Sequence, residues 1–319
     1  AGTAGMGAFR SARQQAEEAI TSFMSRESLF VWNNVLFTVA CASVLLGTLY
    51  PLALDALSGQ KITVGAPYFN IVMVPIFLMI VLLMAVGPLV PWRKANLRRL
   101  GARLLWPFAV GATAATAVSL FLPAVHWTGP VATGLALFAL VSLIIEYSRA
   151  VRQRRAQLKE PLGRACLKTL LGNRRHYGGM VAHFGIVIIT LGLVGSGLFR
   201  SELTVTMAPG DVAEIAGERL RFEGVTSLRG KNYDAVRGRF LLLDEERAVA
   251  PERRQYMRQE MPMTETGIDS TLLRDVYVVL AETSDGQRWA VHIYVNPLVR
   301  FIWVGGGIIL AGLVFSLSG

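Results

Sequence analysis

Residues Gly178 to Phe199 read GGMVAHFGIVIITLGLVGSGLF. The stretch is apolar and long enough to cross a bilayer as a helix, for which about 20 residues suffice. A single ionisable side chain, His183, lies inside it. An ionisable group at membrane depth is costly and is normally held by a partner or a ligand. Neutral imidazole is the commonest metal ligand and a standard axial ligand of haem iron. It serves equally as a packing residue bonded to a neighbouring helix, and the stretch by itself leaves both readings open. Gly179 lies one turn before His183 on the same helical face, and Ala182 and Gly185 flank it. Gly178, Ala182 and Gly185 form a small-residue stripe that lets another helix, or a flat macrocycle, come close.

Five further apolar runs accompany this one, at about Trp32–Leu54, Ile71–Val90, Leu104–Val125, Gly129–Tyr147 and Leu298–Leu317. Together with 53% hydrophobic residues in a chain of 319 and a mean hydropathy of +0.45, they give the fold class. It is a polytopic α-helical membrane protein with six transmembrane helices and a β-rich domain inserted between the last two. The net charge of +10 does not point to nucleic acid, because of where the charge lies. From Phe199 to Pro297 there are 13 Lys and Arg against 16 Asp and Glu, so the excess of base sits elsewhere. Much of it sits in two short connections, Pro91–Arg103 and Arg149–Arg175, the second with nine Lys and Arg.

Basic loops stay on the cytoplasmic side. Alternation then gives residues 1–31 as a cytoplasmic N-terminal segment and 32–198 as five transmembrane helices with cytoplasmic basic loops. Residues 199–297 form a domain outside, which is the periplasm in a Gram-negative bacterium, and 298–319 form the last transmembrane helix. The chain opens on Ala1 rather than Met and stops directly after an apolar run. It reads as part of a longer polypeptide, or as a subunit without its tails.

The outer segment alternates apolar and polar residues at Leu203–Met207, Arg219–Ser227, Arg237–Leu243, Val276–Glu282 and Trp289–Val295. Asp211 and Thr283-Ser284-Asp285-Gly286 carry turn chemistry, the latter joining the last two strands as a hairpin. Six to eight short strands make a small sandwich or open barrel. The run Pro251–Tyr256 reads as a charged turn in preference to a binding loop. Two cysteines, Cys41 and Cys166, form no CxxC or CxxCH motif, so the chain has neither a dithiol redox centre nor a covalent haem attachment site of its own. There is no nucleophile elbow, phosphate loop or HExxH motif. His126 reads as an interfacial residue, His176 as a solvated one among Arg174, Arg175 and Tyr177, and His292 as a strand residue between Val291 and Ile293.

Several blocks resemble a known family. Ser25-Arg26-Glu27-Ser28, Asn33-Asn34, Gly47-Thr48-Leu49-Tyr50-Pro51 and Val64–Asn70 are similar to the CcmF family of bacterial cytochrome c haem lyases, as are Asn173–Gly179 followed by His183-Phe184-Gly185. Pro251–Tyr256, Thr264–Ile268, Arg274–Tyr277 and Asn296-Pro297-Leu298 with Trp303 continue the match in the family's order. The resemblance covers only the C-terminal half of a full-length member.

The resemblance implies an enzyme subunit that attaches haem to CxxCH motifs of apocytochrome c during cytochrome c maturation. It implies a membrane-held haem b that reduces the substrate haem, with quinol as electron source. His183 matches one axial ligand to that haem iron, with Gly179 and Gly185 leaving room for the ring. The implied partners are the N-terminal half of the same protein, the haem chaperone CcmE, CcmH- and CcmI-type subunits and apocytochrome c. The implied place is the bacterial inner membrane, or the mitochondrial inner membrane for a split organellar form. The family's other three haem-handling histidines and its tryptophan-rich segment have no counterpart here, the six tryptophans being scattered. The alternative is a non-catalytic membrane module that docks the chaperone and apocytochrome while His183 only packs. A transporter subunit fits least, since no pair of broken helices carries charges at mid-membrane.

Overall fold

The structure is a computed structural model and describes residues 25–90, 97–122, 125–257, 261–283 and 288–319. Its helices are α1 (Arg26–Ser58), α2 (Ala66–Val86, continued by a 3-10 turn Gly87–Leu89), α3 (Leu97–Phe121), α4 (Thr128–Leu158), α5 (Leu162–Gly172), α6 (Arg174–Leu198) and α7 (Val299–Leu317). Six of them, all but α5, are long and apolar enough to span a membrane. Among the described residues ten strands lie between α6 and α7. The chain forms two compact units, one reaching Val187 and including Ile308–Gly319, the other Ile188–Gly307.

Helix ends differ from the sequence expectations where local chemistry extends the apolar core. The first span begins at Arg26, six residues before Trp32, because the Ser25 hydroxyl accepts the Ser28 N–H at 3.2 Å and caps the first turn. Arg26 itself donates to the carbonyls of Gly87 and Pro88, at 3.3 and 3.0 Å, tying α1 to the turn after α2. Most of the segment expected at 1–31, and the first part of the Pro91–Arg103 connection, residues 91–96, lie outside the described residues. The fourth span continues past Tyr147 to Leu158. The connection after it is not a loop throughout, for Leu162–Gly172 is helical.

Small residues set the helix spacing. A Cβ on Gly111 of α3 would lie 2.5 Å from the Gly134 carbonyl oxygen of α4, and one on Gly134 would lie 2.8 Å from that of Gly111. Backbones approach this closely only where neither residue has a side chain. The blocks Gly47–Pro51 and Val64–Asn70 meet as well. Tyr68 and Phe69 pack over Gly47, and the Tyr68 hydroxyl donates to the Ser43 carbonyl at 3.1 Å.

The strands form two sheets, β1-β10-β9-β8 and β2-β3-β4-β6-β7, with β5 paired to β4. Their ranges are β1 (Ser201–Met207), β2 (Val212–Ile215), β3 (Glu218–Arg229), β4 (Tyr233–Leu242), β5 (Arg247–Val249), β6 (Glu252–Tyr256), β7 (Met263–Glu265), β8 (Gly267–Ser270), β9 (Arg274–Thr283) and β10 (Trp289–Pro297). All pairs are antiparallel. Period-two alternation turns Val276, Val278, Leu280, Val291, Ile293 and Val295 inward. They meet Leu220, Phe222, Phe240 and Leu242 of the other sheet in one core, where Phe222 and Phe240 stack at 4.7 Å. Each such side chain contributes about 1.5–3 kcal/mol by leaving water. Gly224, at φ 125°, takes the bulge that shifts the β3–β4 register.

The expected Asp211 turn is present, with the Ala208 N–H donating to its carboxylate at 2.8 Å. The hairpin residues Ser284–Gly286 lie outside the described residues, although β9 and β10 pair as that hairpin requires. Pro251–Tyr256 is not a turn. It contains strand β6, paired on both sides. The strand survives its charge because Glu252, buried at 6% exposure, accepts from Arg237 and Arg254 at 2.6 and 2.8 Å.

Candidate functional site

The α6 helix is fixed at its start. The Asn173 side chain accepts the His176 N–H at 3.1 Å, and its carbonyl accepts that of Tyr177 at 3.0 Å. Arg174 donates to the Ser318 carbonyl at 2.9 Å, and Ser316 donates to the Arg175 carbonyl at 3.3 Å, clamping α6 to the end of α7. Tyr177 is buried edge-on against Tyr147 at 5.7 Å, and the Tyr147 hydroxyl donates to the Cys166 carbonyl at 2.9 Å.

The small-residue stripe receives a helix, not an open space. A Cβ on Gly178 would lie 2.6 Å from the Gly312 carbonyl oxygen, and one on Gly312 would lie 2.7 Å from both the Gly178 oxygen and the Ala182 nitrogen. Gly185, two turns on from Gly178 and on the same face, is buried. His183 and Gly179 lie off this stripe. His183 is exposed, and a Cβ on Gly179 would meet nothing within 4 Å. The imidazole makes no hydrogen bond among the described residues. So α6 has a face filled by α7, and His183 and Gly179 lie together off that face, with Val187 one turn further on fully buried. Of the two glycines expected beside a ring, Gly179 lies with His183 off the α7 face and Gly185 does not.

The other histidines have neighbours. His126 Nδ1 lies 3.0 Å from the Thr128 hydroxyl, next to Trp127. His176 packs on Tyr177 at 4.9 Å, within the first turn of α6 and exposed. His292 lies opposite Thr204 in the β1–β10 register, 2.9 Å from its hydroxyl. Among the described residues no group of three or more His, Cys, Asp and Glu could hold a metal ion. A haem iron asks less of one chain, a single axial ligand on each side. An unbonded imidazole with a bare glycine one turn away fits one of those positions.

Many of the β-domain's charges pair within it. Arg274 donates to both Glu218 carboxylate oxygens at 2.6 and 2.8 Å and to Asp269 at 2.5 Å, with Glu245 at 3.0 Å. Arg247 pairs with Asp269 and Glu245. Arg219 holds Asp244, keeping its carboxyl below the usual range through the hydrogen bond. Burial works against ionisation of Glu252, yet the bonds from Arg254 and Arg237 hold its carboxyl below the usual range. Arg254 is a structural clamp that also bonds Glu265 at 3.1 Å and covers Tyr233. Arg253 lines a cavity of about 490 Å³ with Arg229, Leu228, Val236, Pro262 and Trp289. Arg274 and Glu252 are the residues that sequence reading passed over. Glu252 lay in the run read as a charged turn, and Arg274 just before the strand-like run Val276–Glu282.

A family model described as "CcmF C-terminal beta-sandwich" matches residues 198–297, which span all ten strands. The cytochrome c-type biogenesis protein CcmF of Pseudomonas aeruginosa is 36% identical over 302 residues, 92% of this chain and 44% of that protein. The chain belongs to the CcmF family and matches its C-terminal half. The corresponding CycK protein of Rhizobium meliloti is 35% identical over 314 residues, covering 98% of the chain and 46% of the relative. A solved structure named cytochrome c haem lyase CcmF superposes over 93% of the chain and 46% of its own, with TM-score 0.72 and 26% identity. The chain therefore spans less than half the length of these CcmF-type relatives. It is a multi-pass membrane protein with a β-sandwich between its last two spans.

Proposed function

We propose that the chain acts in cytochrome c maturation as part of a haem lyase that attaches haem to CxxCH motifs of apocytochrome c. In this reading it works with the N-terminal half of the same protein, a CcmE-type haem chaperone and CcmH- and CcmI-type subunits that present the apocytochrome. His183 is one axial ligand of a membrane haem b, the other coming from the N-terminal half. Such a haem supplies one-electron chemistry, here reduction of the substrate haem with quinol as donor. The observation that carries the assignment is the pairing on α6 of His183, which has no hydrogen-bond partner among the described residues, with Gly179 one turn before it, where a Cβ would meet nothing within 4 Å.

The chain's own residues have separable parts in this scheme. The Gly178–Gly312 contact and the Arg174–Ser318 bond fix α6 against α7, so the imidazole is held on a rigid element. His183 lies nine residues after Arg174, near the end of α6 that follows the basic connection. With that connection cytoplasmic, as the positive-inside rule requires, the bound iron sits toward the cytoplasmic leaflet of the inner membrane and the sandwich stands in the periplasm. That separation suits electron delivery to a periplasmic attachment site. The sandwich, with no cysteine and its single histidine bonded to Thr204, acts as a recognition surface.

The test is co-expression with the complementary half and an apocytochrome carrying one CxxCH motif. Covalent holocytochrome forms with both halves and fails to form when either is omitted. Equal yield without this chain would overturn the proposal. An introduced cysteine at Asp234 labels from the periplasm and one at Arg155 does not. The reverse pattern would overturn the orientation.

A further inference from the structure

We propose that α5 is an interfacial helix whose Leu167 and Leu171 edge inserts into the lipid at the headgroup boundary. The proposal is independent of the haem reading. The helix is eleven residues long, LGRACLKTLLG. Ala165 and Thr169, one turn apart, are buried against the helical unit. The outer edge carries Leu167 and Leu171 at 57 and 43% exposure. Arg164 and Lys168 share that side. A leucine edge bordered by basic residues is the pattern of a helix lying in the plane of a membrane surface.

Two contacts place this edge at the membrane boundary. At one end Glu160 accepts from Arg154 at 2.8 Å and Lys168 at 3.2 Å, which folds the chain back after α4. Lys159, in the left-handed conformation at φ 50°, makes that reversal. At the other, the Tyr147 hydroxyl donates to the Cys166 carbonyl, and Tyr147 meets Tyr177. Tyr147 stands where the apolar run of α4 gives way to Arg149 and the basic extension, the position where aromatic side chains mark the interface. So α5 returns along the extension to the level of the Tyr147–Tyr177 pair. Ile144, one turn before Ser148 on α4, is likewise exposed at this level. The basic border fits anionic headgroups. These features favour lipid over a protein partner as the occupant.

The experiment is collision spin-label spectroscopy on the full chain in bilayer discs containing anionic lipid. With Cys41→Ser and Cys166→Ser as background, nitroxides are placed at Leu167→Cys, Leu171→Cys and, as the aqueous reference, at Arg155→Cys, exposed on the basic extension of α4. At 167 and 171 oxygen collisions exceed those of a water-soluble nickel chelate several-fold, and at 155 the ratio inverts. Nickel accessibility at 167 and 171 equal to that at 155 would overturn the proposal. Low accessibility to both agents, alone or with the complementary half present, would identify a protein contact and overturn it too. Should the cysteine-free background lose its fold, quenching of Leu167→Trp by brominated lipid in the otherwise unaltered chain reads the same depth. Absence of added quenching over the unaltered chain would then be the contrary result.

Discussion

The helical unit and the β-sandwich solve the same problem with opposite materials. In the spans, large apolar side chains such as Leu52, Trp106 and Phe121 point outward, at 64, 74 and 81% exposure, while glycines make the contacts between helices. In the sandwich, apolar residues point inward and buried or half-buried arginines clamp carboxylates between strands. Lipid removes the hydrophobic reward for helix association, so close backbone approach takes over. Water provides that reward to the sandwich, whose charges then have to be paired wherever they enter the fold. An unpaired polar group is therefore informative in the spans, where the buried Ser142 hydroxyl and the exposed His183 imidazole lack a hydrogen-bond partner among the described residues.

That contrast can be broken most severely at Arg274. Arg274→Ala leaves Glu218 and Asp269 facing each other beneath the surface, and losing one partner of a buried pair costs about 3–5 kcal/mol. The sandwich is expected to unfold at markedly lower temperature in detergent, read by tryptophan fluorescence, while the helical content of the chain persists. A fall in both together would join what the account separates. In the spans the equivalent break is one of volume. Gly134→Leu drives a side chain into the Gly111 carbonyl, and overpacking of this kind costs about 1–3 kcal/mol. Its signature is earlier loss of helix in mixed detergent with an unchanged sandwich transition.

Acid sharpens the comparison further. Glu252 and Asp244 have carboxyls held below their ordinary range in the folded state. Their stabilisation is fully present above the unfolded-state value and is lost as pH falls through the folded one. The sandwich transition should weaken on acidification below the ordinary carboxylate range, and Glu252→Gln should flatten that dependence at a cost of about 1–3 kcal/mol at neutral pH. A pH profile unchanged by Glu252→Gln would show that the clamp is not the acid-sensitive element. The smallest effects come from the histidines. His292→Ala removes the bond to Thr204, worth about 0.5–1.5 kcal/mol. His183→Ala should alter the stability of the haem-free chain by less than about 0.5 kcal/mol, as for exposed sites away from packing.

The architecture was legible wherever one environment acts along a whole element. Six long apolar runs and five alternating strands needed only period and length, and the basic loops divided the charge. Helix ends were not legible because caps decide them, as Ser25 does for α1. The short strands β2, β5, β7 and β8 were missed because three or four residues cannot display a period. Strand β6 was misread because its residues are charged, and the arginines that neutralise Glu252 include one from another strand. The same limit applied to α5, whose leucines interleave with Arg164 and Lys168 in a run read as a basic loop. His183 stood out in the sequence as the one ionisable group inside its span. What the sequence could not reveal is that the glycine stripe beside it seats α7, leaving His183 with Gly179 on the other face.

The measurement that bears most directly on this account is the absorbance of haem b in the chain co-expressed with its complementary half. His183→Ala is expected to abolish the b-type signal while the protein remains inserted and keeps its sandwich transition. His126→Ala, His176→Ala and His292→Ala are each expected to retain it in full, and the chain alone is expected to carry little. Full stoichiometric haem b in the His183→Ala protein would contradict the ligand assignment and leave His183 as a residue that only occupies a helix surface.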